Sequence, residues 1–162
     1  MITFIEQKDA FMRSVKGIAL AATLAAGLMA VPGAEAIAAE PAIKASDIRF
    51  HTNDDDKDYD TNVRVDVIDR YGTVAAHLEG VLGLFKDNTD NGPFSLTVQN
   101  PSATKDTVRG GTLKIHLDTV GRDEWRFNLN LIVRFEDNST LGTRVNGIRM
   151  SHKIPDGTWG IG

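Results

Sequence analysis

The chain contains no cysteine among its 162 residues. This absence excludes a disulfide-stabilised scaffold, a cysteine nucleophile, thiolate metal ligands and a thioether-linked lipid anchor. Aromatic residues are also scarce, at 7%, and the formal net charge is only -4. Such a small acidic balance gives no electrostatic reason to expect nucleic acid as a partner. The length is that of one ordinary domain.

A long hydrophobic run is also lacking, since the longest uncharged apolar stretch, IALAATLAAGLMAV, covers only residues 18–31. A bilayer-spanning helix needs roughly twenty residues. Arg13 and Lys16 precede the run, and small residues with an A-x-A pattern follow it. This order is typical of a secretory signal peptide. We therefore predict a bacterial signal peptide over residues 1–38, with Met12 as an alternative start. The mature protein would then be secreted or periplasmic, with no transmembrane segment.

The remainder of the chain repeats apolar residues at every second position, which is the period of a β-strand. The longest series places six apolar residues on one face between Trp125 and Phe135, and mostly polar residues lie between them. Turn signals such as Tyr71-Gly72 separate the series, and Asn146-Gly147 indicates a tight turn or a bulge.

Short strands without helical crossovers favour an antiparallel architecture. We predict an all-β fold, an antiparallel β-sandwich of about seven to eight strands over residues 47–162. Residues 39–46 are predicted to be a flexible lead-in.

An acidic segment, NDDDKDYDT, occupies residues 53–61 between two strand signals. Its carboxylates repel one another, and a hard dication would remove that repulsion. Calcium takes six to eight oxygen ligands, and a second oxygen-rich turn at residues 86–93 would supply more of them. Neither segment has the Gly and Glu positions of an EF-hand. We predict Ca²⁺ as a bound ion, with these metal ligands: Asp54, Asp56, Asp58, Asp60, Asp87 and Asp90. The alternatives are that both segments are solvated turns or that a cation other than calcium binds there.

Four segments, taken in order, resemble the PLAT/LH2 domain. The matching positions are Thr61-Asn62-Val63, Phe94, the strand from Leu113 to Asp118, and Trp125 at the start of the long alternating strand. The resemblance covers residues 48–135, and it implies an eight-stranded β-sandwich that binds a membrane lipid or a protein, often with calcium. The chain departs from the family at the early turn, where the acidic segment replaces a small Gly-containing loop. We expect a stand-alone binding module without an attached enzyme.

The sequence offers no catalytic residues. No histidine pair has the spacing of a helical zinc site, and no nucleophile-elbow, P-loop or dinucleotide motif occurs. A calcium-assisted binding module for a lipid surface or a protein partner is therefore the first hypothesis. The second is a carbohydrate-binding or cell-wall-binding sandwich that uses Trp159 and Tyr71. The third is a small secreted enzyme without a recognisable motif, whose sign would be a histidine near carboxylates in a cleft.

Overall fold

The structure is a computed structural model that describes residues 39–162, and these are almost entirely β-structure. The all-β class and the predicted strand number are confirmed, because eight strands follow one another: β1 (Ile43–Asp55), β2 (Asn62–Ile68), β3 (Val74–Val81), β4 (Asp90–Val98), β5 (Thr112–Asp118), β6 (Glu124–Phe135), β7 (Thr140–Ser151) and β8 (Asp156–Gly160). One short helix, α1 (Lys105–Val108), precedes β5. Within residues 39–162, no helix is long and apolar enough to cross a membrane. The predicted signal peptide and the Met12 start lie outside the described residues.

The strands form one hydrogen-bonded order, β7-β6-β1-β4-β3-β2-β5-β8, in which every neighbouring pair is antiparallel. The two halves of this order are joined only where Ala76 and His77 of β3 pair with β4. The sheet is nearly closed like a barrel, since the Thr143 hydroxyl of β7 donates to the Gly160 carbonyl of β8 at 2.8 Å. The eight strands therefore belong to one continuous sheet that is rolled around the core.

The core lies inside this sheet and follows the predicted alternation. In β6, the residues from Trp125 to Phe135 are buried at every second position, as the six-residue series predicts. The same alternation is found in β2 and β5. Buried alternate positions exclude water from one face and leave the other face wet, so the polar residues of these strands lie on the outside of the barrel.

Three element boundaries differ from the sequence-based expectation. Strand β1 begins at Ile43, inside the predicted lead-in, because Ile43 is buried and its amide donates to the Ala103 carbonyl at 2.7 Å. Its last residue is Asp55, so part of the acidic segment is strand. Strand β4 begins at Asp90, because Asp90 pairs with His51 of β1. Both oxygen-rich loops are therefore shorter than the sequence indicates.

Candidate functional site

Four connections meet at one end of the barrel, which we call the loop end. They join β1 to β2, β3 to β4, β5 to β6 and β7 to β8, and the strand registers place them together: Asn62 at the start of β2 pairs with Val81 and with Asp118, the last residues of β3 and β5. The two predicted oxygen-rich segments contact each other here. The Asn88 amide donates to the Asn53 carbonyl at 2.8 Å, and Lys57 and Phe85 form an isolated β-bridge.

The acidic segment contains its own cation, Lys57. This side chain is 0% exposed. Its ammonium donates to the carbonyl of Asp58 at 2.8 Å and to that of Thr61 at 3.3 Å, and it lies 4.9 Å from the centroid of the Phe85 ring. Burial lowers the pKa of Lys57, while the carboxylate of Asp123 acts in the opposite direction. Backbone carbonyls and a nearby carboxylate thus surround a positive charge, as they would surround a bound ion.

Asp123 ties the β1–β2 loop to the β5–β6 loop. Its carboxylate accepts a hydrogen bond from the Thr61 hydroxyl and another from the Asp58 amide, the latter at 3.3 Å. Both Asp123 and Thr61 are buried. The negative charge of Asp123 raises the pKa of Asp58 above its ordinary value. Lys57 and Asp123 together hold the loop in one conformation from inside.

The six predicted metal ligands do not converge on one point. Asp54 pairs with Arg126 at 3.5 Å, and Asp90 pairs with His51 at 2.8 Å. The other four, Asp56, Asp58, Asp60 and Asp87, make no side-chain ion pair in the described part of the chain. No group of three histidine or acidic side chains between residues 39 and 162 is close enough to hold a metal ion. The predicted ligands therefore form no such cluster in the described conformation, and calcium binding stays a prediction from the sequence.

Calcium is therefore expected to change the melting midpoint of the mature domain by less than about 1 °C at millimolar concentration. The reason is that Lys57 already neutralises the inner side of the loop, and no three acidic or histidine side chains of the described residues lie close enough to share one ion. Differential scanning fluorimetry with calcium, with magnesium and with chelator measures this effect. A rise of several degrees that is specific to calcium would contradict this reading and would demonstrate a site that the described conformation lacks.

Exposed apolar side chains gather at the same loop end. Six large hydrophobic residues in the described range are exposed, and five of them lie there: Tyr59, Val81, Leu84, Val120 and Ile154. Val120 is 63% exposed. The sixth, Tyr71, lies in the β2–β3 turn at the opposite end. The sequence analysis missed this grouping, because each residue belongs to a different strand end or loop.

A second candidate surface, which is concave, lies on the outer face of β4, β1, β6 and β7. It has a volume of about 370 Å³ and is lined mainly by polar side chains: Arg49, His51, Asp90, Asn91, Asn128, Asn130, Arg144 and Asn146. A β-bulge in β7 shapes one side of it, where Asn146 and Gly147 oppose the single residue Asn128. The bulge predicted at Asn146-Gly147 is thus found, with Gly147 at a φ of 68°. The Gly147 amide donates to the Asn128 side chain at 2.8 Å.

Three of the four histidines pair with an aspartate. His77 with Asp66 and His116 with Asp156 lie on other strands, whereas His51 with Asp90 lines the cavity. Such a pair can accept or donate a proton. The cavity lining described above contains no serine, threonine, tyrosine or lysine that would act as a nucleophile. The pair alone is therefore a weak sign of catalysis.

Neither of the two predicted ligand-binding aromatic residues lines this cavity. Trp159 of β8 pairs with Leu113, packs against the core and covers Gly157 with its ring. Tyr71 is 70% exposed, and its hydroxyl accepts a hydrogen bond from Arg70 at 3.1 Å. Of these two residues, Tyr71 is exposed and Trp159 is half-buried.

Comparison with known proteins assigns no family to the chain. No model of a known protein family matches it. No curated protein matches it significantly. What the molecule does is therefore inferred from its two candidate surfaces, the loop end and the cavity on the outer face of β4, β1, β6 and β7.

Proposed function

We propose that the chain is an exported, secreted or periplasmic, non-catalytic binding module that docks through its loop end onto a protein partner. The observation that carries the proposal is the gathering of five exposed large hydrophobic side chains at this end. Exposed apolar residues that occur singly are common on protein surfaces, but a group of them with a polar rim marks an interaction site. Buried residues such as Lys57 and Asp123 fix loops that carry these side chains, so the surface keeps its shape before a partner binds.

The proposed architecture is a PLAT-like sandwich. Its support is the number of antiparallel strands and the weak joint between the two halves of the sheet, which is limited to two residue pairs between β3 and β4. A barrel-like sheet with so weak a joint can be described as two four-stranded layers, β7-β6-β1-β4 and β3-β2-β5-β8, packed around one core. Loops at one end of such layers are well placed to hold a partner, because a rigid scaffold fixes their positions.

The charge of the loop end favours a basic protein surface over an anionic lipid bilayer. Exposed acidic residues outnumber exposed basic ones at this end: Asp54, Asp56, Asp58, Asp87, Asp90 and Asp118 against Lys86, Arg122 and Lys153. An anionic bilayer would be repelled by this excess, whereas basic residues around an apolar patch would be attracted. The proposed partner is therefore a protein that presents such a patch.

Binding of a partner to the loop end is expected to require both its negative charge and its exposed apolar side chains. A labelled basic amphipathic peptide of lysine and leucine should bind the mature domain, and vesicles containing anionic phospholipid should not bind it without calcium. The double variant Leu84→Ser, Val120→Ser should bind the peptide about tenfold more weakly, because burial of these two exposed side chains against the peptide is worth about 1.4 kcal/mol or more. Fluorescence anisotropy and vesicle flotation measure these effects.

The matched control is Tyr71→Ser, which removes a more exposed hydrophobic side chain at the opposite end. It should leave peptide binding unchanged. Absence of peptide binding, or equal weakening by the control, would contradict the docking proposal. Strong binding to anionic vesicles in the presence of chelator would instead identify a lipid surface as the target.

A further inference from the structure

The cavity on the outer face of the barrel contains two arginines that lack an acidic partner. Three arginines of the same face are paired: Arg134 with Asp47, and both Arg126 and Arg149 with Glu124. Arg49 and Arg144, by contrast, form no ion pair and no side-chain hydrogen bond within residues 39–162. Asp90, the one acidic residue in the cavity lining, is already engaged by His51. The cavity therefore keeps positive charge available to an incoming ligand.

The strand registers bring these two arginines to either side of one amide. Asn130 of β6 pairs with Arg49 of β1 on one side and with Arg144 of β7 on the other. Neighbouring strands are about 4.8 Å apart, so the two arginine backbones are separated by roughly 10 Å. Side chains of this length can reach one anionic group from both sides, and a guanidinium binds a carboxylate through two parallel hydrogen bonds.

The other available groups in the cavity are amides. Neither Asn130 nor Asn146 uses its side chain in a hydrogen bond within the described residues, although both line the cavity. An amide donates and accepts at once, which is the pairing that a sugar hydroxyl requires. The cavity exposes no phenyl or indole ring, because Phe50, which contributes to its lining, is buried, and its one accessible ring, the imidazole of His51, is paired with Asp90.

We propose that this cavity is a binding site for an anionic saccharide. Arg49 and Arg144 bind the carboxylate of a uronic-acid residue, and Asn130 and Asn146 bind the hydroxyl groups of the ring. The volume of about 370 Å³ is within the range of small-ligand pockets and accommodates one or two sugar rings. A glycan acid is favoured over a simple anion because the amides supply hydrogen bonds that a bare anion does not need.

The framework around the site is fixed before a ligand arrives. Arg49 and Asn130 lie in the interiors of β1 and β6, two strands that pair along most of their length. The bulge in β7 is held by the hydrogen bond from Gly147 to Asn128, whose amide in turn donates to Asn53 at 3.0 Å. Residues on paired strands lose little freedom on binding, which favours affinity for a small ligand.

The test is a titration of the mature domain with oligosaccharides that differ in charge alone. A panel of uronic-acid disaccharides, including digalacturonate, is compared by isothermal titration calorimetry with the methyl esters of the same sugars and with inorganic sulfate. The acids are expected to bind at least about tenfold more tightly than the esters, and added salt should weaken that binding. Sulfate is expected to compete only weakly.

The variants Arg49→Gln and Arg144→Gln should each weaken binding of the acid by about tenfold, since each removes a charge-assisted hydrogen bond. Arg109→Gln, which removes one exposed positive charge near the opposite end, should have no effect. The loop-end variant Leu84→Ser, Val120→Ser should also bind the saccharide normally, so this proposal and the docking proposal can fail separately. Absence of binding across the panel, equal binding of acid and ester, or sulfate binding as tight as that of the acid would overturn the proposal.

Discussion

Replacing Lys57 with methionine is expected to lower the free energy of unfolding by about 2 to 3 kcal/mol. Methionine removes the donor to the carbonyls of Asp58 and Thr61 and the positive charge beside Asp123. It also removes the unfavourable burial of the ammonium, which the lowered pKa of Lys57 indicates. The loss is larger because a carboxylate that is only 8% exposed is left without a neutralising charge. Urea unfolding measures the difference, and the melting midpoint should fall by roughly 10 °C.

Two further variants separate the effect of the Lys57 charge from that of its hydrogen bonds. Lys86→Met changes an exposed lysine in the neighbouring loop and should alter the free energy of unfolding by less than about 0.5 kcal/mol. In the background of Asp123→Asn, the effect of Lys57→Met should shrink by about 1 kcal/mol, because the charge that Lys57 neutralises is gone. An equal effect in both backgrounds would show that Lys57 acts only through its hydrogen bonds to the carbonyls.

The strands could be predicted because alternation is a local property of the sequence. The residues between Trp125 and Phe135 alternate in burial as they alternate in polarity, and so do those of β2 and β5. The single rolled sheet could not be predicted in the same way. Its closure depends on which strands pair, and β4 pairs with β1 through residues 90–96 and with β3 through only two residues. Such choices between distant segments leave no local pattern.

The same difference applies to the candidate sites: their local features could be predicted, and their contacts between distant segments could not. The acidic segment was visible, but its neutralising group was not, because burial of Lys57 depends on Phe85 and Asp123 from two other loops. The one local sign is a lysine in the middle of five aspartates. The cavity depends on four strands in register, and Arg49 is more than ninety residues from Arg144. Polar residues on the wet face were expected there, but their convergence follows only from the pairing of β1, β6 and β7.

Replacing Trp125 with alanine is expected to lower the free energy of unfolding by about 4 kcal/mol. Trp125 is 0% exposed, and its ring stacks on Phe127 with a centroid distance of 3.8 Å. It also contacts Phe50 and Phe85 with centroid distances of 5.0 and 5.5 Å. Removing it leaves a large cavity that the surrounding rings cannot fill. Urea unfolding measures the loss, which is a large part of the total stability of an ordinary domain.

The same substitution should also weaken docking at the loop end, because Phe85 connects Trp125 to the loop that carries Leu84. Trp125→Phe separates packing from hydrogen bonding: it keeps a ring but removes the indole donor to the Thr52 hydroxyl, which lies at 3.1 Å, and should lower the free energy of unfolding by only about 1 to 2 kcal/mol. Trp159→Ala, on the half-buried strand β8, should also have a smaller effect than Trp125→Ala.

If Trp125→Ala unfolds no more easily than Trp159→Ala, the aromatic cluster does not anchor the loop end. If Trp125→Phe keeps peptide binding while Trp125→Ala loses it at a temperature where both remain folded, packing beneath Phe85 is what holds the docking surface in place.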